Sequence, residues 1–198
     1  KYPAVNPHGS TARHGGGFYH QVRGVGSHEV VVECPGHDTN LAALPAEQIA
    51  DVLSAYHTRI GDLSADERLA YALAFKNYGA LAGASMEHCH AQILATPTVP
   101  ALVADELAGS AAFHQRHAAC VFCRLLDEEM SLGTRIVCES PHYILICPYA
   151  SRFPFEMWMM PRSHLSHYEQ QNTAELNELA HMLQSSLSRL GAVLHNHA

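Results

Sequence analysis

Hydrophobic positions change period several times along the chain, and each change marks an element. "HEVVVECP" (28–35) is a short apolar run closed by Pro35 and Gly36, a strand signal. Over 45–60, Ile49, Val52, Leu53, Tyr56 and Ile60 recur at helical spacing, with Pro45 at the first helical position. "LAYALAFKN" (69–77) and "HCHAQILAT" (88–96) return to strand patterning on either side of a Gly- and Ala-rich connection. Residues 101–131 read as helix, broken near Cys120 and Cys123. Strands are predicted near 135–138, 143–147 and 155–160, then a helix from 173 to about 190. Residues 5–27, rich in Gly, His and Ser, read as a loop with a short strand at 18–22.

Part of this order recurs. "VVVECPGHDTNLAALPAEQIADVL" and "EMWMMPRSHLSHYEQQNTAELNELAHML" share an apolar strand, a proline, a histidine two or three residues on, and an amphipathic helix. The expectation is an α+β chain of two tandem halves, 1–100 and 101–198. The second half stops at "GAVLHNHA", where the first continues into two strands, so the pseudo-repeat reads as incomplete and the chain as cut short at its C-terminus.

Composition narrows the function classes. The 198 residues are 47% apolar, enough for a packed core, and the net charge of −7 comes with only 12 Lys+Arg and no basic run. That argues against a nucleic-acid partner. No stretch approaches 18 uninterrupted apolar residues and "KYPAVNPHGS" lacks a signal-peptide core, so no membrane partner and a cytoplasmic location are expected. Six dispersed cysteines read as thiols or metal ligands rather than staples, and 16 histidines raise the prospect of metal chemistry.

"ASMEHCHAQ" concentrates the chemistry. If 88–96 is one strand, His88 and His90 share a face, since residues i and i+2 of a strand do. One imidazole can then ligate zinc while the other attacks phosphorus, with Gln92 donating to a phosphate oxygen. The same spacing also suits two half-buried strand histidines. Upstream, Asn77, Gly79, Gly83 and Ser85 offer small residues, backbone amides and a hydroxyl where a phosphate can settle, or an ordinary Gly-rich turn.

"FKNYGALAGASMEHCHAQILATPTVP" resembles the histidine-triad superfamily, in the branch of galactose-1-phosphate uridylyltransferase and ADP-glucose phosphorylase, which carries K-N-x-G…G-x-S…H-P-H-x-Q. The resemblance runs on through "CPGHDTNLAALP", "CVFC" and "PYASRFPFEMWMMPRSH". It implies two histidine-triad-like halves, the first with the active-site motif and the second, partial, with the C-x-x-C. It implies His90 as nucleophile, His37 and His88 as zinc ligands, and Gln92 as the group that steadies the nucleotidylated intermediate. Asn77, Gly83 and Ser85 match positions that hold the nucleotide's phosphates, and Tyr2 and Pro3 match a segment beside the base. The family usually has proline where this chain has Cys89, which is expected to point away from both rings and simply pack. Two cysteines that complete the family's zinc site normally lie ahead of Lys1.

Cys120 and Cys123 suit two thiolates on a tetrahedral ion or a redox pair at a helix start. In ADP-glucose-phosphorylase-like relatives such a pair joins a histidine of the next strand, here His142, and another far downstream. His164 and His167, Trp158 and the flanking methionines read as surface and strand core respectively.

The resemblance implies a transferase of carbohydrate, including galactose, metabolism. It would exchange a nucleoside monophosphate between a sugar nucleotide and a hexose 1-phosphate through nucleotidyl-His90. A sugar phosphate as acceptor gives the uridylyltransferase reaction, and inorganic phosphate gives an ADP-glucose phosphorylase reaction. Zinc is the implied cofactor and a homodimer with a shared active site the implied assembly. An inactive, truncated zinc-binding fragment is the contrasting expectation.

Overall fold

In the computed structural model, residues 4–37, 40–84 and 86–195 are described. The chain divides into two compact units, Lys1–Val99 and Pro100–Ala198. Each holds a three-stranded antiparallel sheet with helices against it. No helix among the described residues is long and apolar enough to cross a membrane.

The first unit begins with an exposed hairpin, β1 (His14–Gly16) and β2 (Tyr19–Gln21), where the pattern predicts a single strand. Next come β3 (Ser27–Val32), α1 (Ala46–Ser64), β4 (Tyr71–Phe75) and β5 (His90–Thr96). Pro45 is the N-cap of α1 rather than its first residue, and its carbonyl accepts from the N–H groups of Gln48 and Ile49. It supplies no capping side chain, but Glu47 in the first turn complements the helix dipole.

β5 lies between β3 and β4, so both its edges are hydrogen-bonded and its two faces do different work. Ala91, Ile93 and Ala95 are buried; Ile93 and Ala95 pack with Leu63, Tyr56 and Ile60 of α1. Burying a side chain such as Ile93 contributes about 1.5–3 kcal/mol. By strand alternation His90, Gln92 and Leu94 take the other face. The register sets Val32 opposite His90, and Val30 and Phe75 opposite Gln92. Val30, Val32 and Leu73 are 50%, 61% and 43% exposed, so that face is uncovered.

The second unit opens with α2 (Ala101–His117) and α3 (Val121–Leu132), separated where Ala118 turns left-handed at φ 51°. The break falls where the sequence places it. β6 (Ile136–Glu139), β7 (Tyr143–Ile146) and β8 (Trp158–Pro161) form the sheet, and α4 (Thr173–His195) closes the unit. Central β7 is buried on both faces. Ile144 and Ile146 pack with Leu126, Trp158 and Met160; Tyr143 and Leu145 pack with Met182, Leu179, Met157 and Met159. Trp158 and the methionines are thus strand core, as their pattern suggests.

β3–Pro35–His37–α1 and β8–Pro161–His164–α4 follow the same order of strand, proline, histidine and helix. Elsewhere the sheets differ: β3 is followed in sequence by its sheet partners, whereas β8 is preceded by them.

Candidate active site

β5 starts at His90, and His88 lies in the bend before it. The expected sharing of a strand face by the two imidazoles is therefore corrected: the residues that share it are His90 and Gln92. His88 reaches the site differently. Its Nε2 is 2.7 Å from the carbonyl oxygen of Cys34, and its ring meets that of His37 edge to face at a centroid distance of 4.7 Å. Because a carbonyl only accepts, Nε2 of His88 is the donor, and in the neutral ring the lone pair is on Nδ1. His37 and His88 thus come together, two donors where a closed zinc site takes four.

The same reasoning fixes His90. Its Nδ1 is 2.7 Å from the His88 carbonyl oxygen, so Nδ1 is the donor and, in the neutral ring, the lone pair is on Nε2. The residue is only 5% exposed, which limits the ring's freedom. Gln92, two residues on, has its Oε1 2.8 Å from His28 Nε2.

On the α1 face lies a polar cluster that pattern reading misses. Glu33, whose side chain is fully buried, accepts from Tyr56 (2.9 Å), Lys76 Nζ (2.5 Å) and the Cys89 thiol (2.8 Å). Lys76 also donates to the His90 carbonyl oxygen at 3.0 Å. Cys89 does point away from His90, as expected, but into this cluster rather than into plain apolar packing. Burial, then the neighbouring carboxylate, pushes its thiol up to about 12, which disfavours the thiolate. The Lys immediately before Asn77 is the one sequence signal for the cluster.

A cavity opens beside His90, lined by Asn77, Gly79, Met86, Glu87 and His88 among others. Asn77 is therefore placed with the histidines. Gly79 and Gly83, at φ 81° and 80°, bracket a short 3-10 turn at Ala80–Ala82. Among the described residues no atom lies within 4 Å of a Cβ added at either glycine, so the positive φ is what favours glycine here. Gly83 closes the turn through its N–H to Ala80 O and does not line the cavity. Tyr2, Pro3 and Ser85 lie outside the described residues.

In the second unit, the ligand atoms of Cys120, Cys123 and His164 lie within 4.8 Å of one another, with Cys123 Sγ 3.3 Å from His164 Nδ1. His142 is not in this group: its Nδ1 is 2.7 Å from Glu178 Oε2, and its backbone N–H also donates to Glu178. Of the two histidines, the geometry sets His164 and not His142 beside the cysteine pair. The loop after β8 delivers His164, and its place after Pro161, like that of His37 after Pro35, was the available signal. Cys120 caps α3, where the N–H of Cys123 and then of Phe122 hold its thiol below the ordinary range. Burial, then Cys120 beside it, pushes Cys123 up. Two sulfurs and an imidazole at this spacing fit a soft-to-borderline ion such as zinc, with three of the four usual donors assembled.

Residues 2–100 match the family profile of the galactose-1-phosphate uridyl transferase N-terminal domain. The chain belongs to this family. Members similar to it include ADP-glucose phosphorylase of Arabidopsis thaliana, 32% identical over 173 residues, 87% of this chain and 48% of that protein. Galactose-1-phosphate uridylyltransferase of Thermotoga maritima is 31% identical over 155 residues, 78% of this chain and 48% of that protein. The crystal structure of an Arabidopsis thaliana ADP-glucose phosphorylase with bound ADP-glucose superposes with a TM-score of 0.85 at 30% identity, covering 98% of this chain and 59% of that one. The chain spans about half the length of these curated uridylyltransferase-family relatives. Its mixed helix and antiparallel-sheet architecture is that of the family's solved structures.

Proposed function

We propose that the protein is a nucleotidyltransferase of this family that works through a covalent nucleotidyl-His90. The observation carrying the reading is the His90 Nδ1 to His88 carbonyl hydrogen bond, which leaves Nε2 as the in-plane nucleophile on the open face of β5. Attack of that lone pair on the α-phosphorus of a sugar nucleotide forms the N–P bond and breaks the P–O bond to the hexose 1-phosphate, which leaves. The second acceptor then takes the nucleotide and returns His90 to its neutral form. Gln92, on the same face, stabilises charge on the non-bridging oxygens. Asn77 and the turn held by Gly79 and Gly83 cradle the phosphates, with Ser85, Tyr2 and Pro3 as further contacts of the nucleotide.

Two acceptors fit this chemistry. A hexose 1-phosphate gives the galactose-1-phosphate uridylyltransferase reaction. Inorganic phosphate gives an ADP-glucose phosphorylase reaction, and relatives of both kinds resemble this chain to a similar extent. We assign zinc to Cys120, Cys123 and His164, and a second zinc position to His37 and His88, each needing further ligands. The metal would hold its loops in place and take no part in transfer. The active unit is proposed as a homodimer of two-halved, histidine-triad-like chains acting in the cytoplasm.

The test is intact-protein mass spectrometry after mixing with UDP-glucose, and separately ADP-glucose, for the parent and His90→Ala. A gain of one nucleotidyl group, lost in the variant, supports the reading, and the productive donor names the base. No adduct with either donor in folded, zinc-loaded protein rejects it.

A further inference from the structure

We infer that His28 is a positioning residue that fixes the side-chain amide of Gln92 with its NH2 group turned toward the substrate. This deepens the proposed nucleotidyl transfer and rests on that reading for its catalytic consequence, though the orientation itself does not.

The argument is a proton inventory. The backbone N–H of Ala4 donates to His28 Nδ1 at 3.1 Å. A backbone amide has no acceptor lone pair to offer, so Nδ1 must be the unprotonated nitrogen of His28. A neutral imidazole then carries its proton on Nε2, and that N–H faces Gln92 at 2.8 Å. Only the amide oxygen can receive it. If Gln92 were turned over, its NH2 would face an N–H, with no acceptor between them. One hydrogen bond at the start of the chain thereby decides an amide orientation that geometry alone leaves two-fold ambiguous.

The relay is built into the sheet. Asn6 forms a parallel bridge with Val25, through Asn6 N–H to Gly24 O (2.8 Å) and Gly26 N–H to Asn6 O (3.0 Å). This pairing holds Ala4 beside β3. His28 stands opposite Leu94, so it shares the open face of the sheet and is the diagonal neighbour of Gln92. With its oxygen occupied by His28, Gln92 keeps two amide hydrogens on the face that carries His90. Those are the donors that developing negative charge on the α-phosphoryl oxygens requires. A carbonyl oxygen turned that way would repel them.

Two measurements on the full chain test the relay. In the first, 15N–1H correlation of the histidine side chains at neutral pH reads the His28 tautomer directly. The proton is expected on Nε2 in the parent, and a mixture of tautomers in Ala4→Pro, which removes the donor. A parent His28 protonated on Nδ1 overturns the inference.

The second compares rates of nucleotidyl-His90 formation from UDP-glucose or ADP-glucose among folded variants with matching circular dichroism. His28→Leu is expected to slow the step by about 3- to 10-fold, the range for one lost neutral hydrogen bond. His28→Gln, which can present an N–H to the same oxygen, is expected to recover most of the rate. In a Gln92→Ala background, His28→Leu should have no further effect. An unchanged rate in His28→Leu, or a full additional loss on top of Gln92→Ala, overturns the positioning role. If the parent forms no adduct at all, the proposed function fails, while the tautomer measurement still decides the orientation of Gln92.

Discussion

The Nδ1 of His90 and the backbone carbonyl of His88 are 2.7 Å apart, so this buried, cavity-lining histidine is oriented by the main chain two residues before it. Substituting the His88 side chain leaves that carbonyl in place, whereas the His90 ring has no substitute. His90→Ala is therefore expected to abolish covalent nucleotidylation. Gln92→Ala should slow it by about 10²–10³-fold, the usual effect of removing one transition-state donor. Rapid-quench mass spectrometry checks both, and a Gln92→Ala rate equal to the parent's would remove Gln92 from the chemistry.

Lys76 and Glu33 form an ion pair under β5 with side-chain exposures of 20% and 0%. Removing one partner strands the other in a low-dielectric site. Lys76→Met is expected to destabilise the first unit by about 3–5 kcal/mol. Pairing it with Glu33→Gln should cost less than Lys76→Met alone, because the double change leaves no buried charge. Urea unfolding of the three variants decides this, and simple additivity would mean that the pair is not coupled.

Cys120, Cys123 and His164 converge, and His142 does not. Zinc measured by elemental analysis after gel filtration should fall in Cys123→Ala and His164→Ala and be retained in His142→Ala. Retention in His164→Ala together with loss in His142→Ala would restore the assignment made from sequence.

The contact between His142 and Glu178 predicts a pH window. Hydrogen bonding to Glu178 raises the His142 pKa above 6.5, against a smaller desolvation effect. Burial acts upward on Glu178, but hydrogen bonds from His142 and Ser140 together lower it below 4.5. A raised imidazole contributes stability in full below its unfolded value and loses it as pH rises through the folded one. A lowered carboxylate contributes above its unfolded value and loses it as pH falls through the folded one. Both contributions are present between about pH 4.5 and 6.5, the two ordinary values. Melting curves of the parent minus those of His142→Asn should show the largest difference there, shrinking above and below. A pH-independent difference would exclude the linkage.

Much of this was legible from residue pattern. The strand, helix and two strands of the first unit and the broken helix of the second follow from periodicity and from Gly and Pro positions. What pattern could not supply was where β5 begins. Extending it to 88 makes His88 and His90 neighbours on one face, whereas the strand starting at His90 passes that relationship to His90 and Gln92. The Lys76–Glu33–Cys89 cluster was equally hidden, since three separated polar residues meet only after β3, β4 and β5 pair. His142 stands apart from the cysteines because it pairs with Glu178, thirty-six residues on, a contact that no local pattern announces. His164 could have been found by giving the proline-to-histidine spacing more weight.

β5 keeps its packing and its reactivity on opposite sides. Ile93 and Ala95 answer to α1, while His90, Gln92 and Leu94 answer to whatever lies in the open cleft. The two faces of the strand can therefore change independently: substitutions at exposed Val30, Val32 and Leu73 leave the packing of Ile93 and Ala95 on α1 untouched.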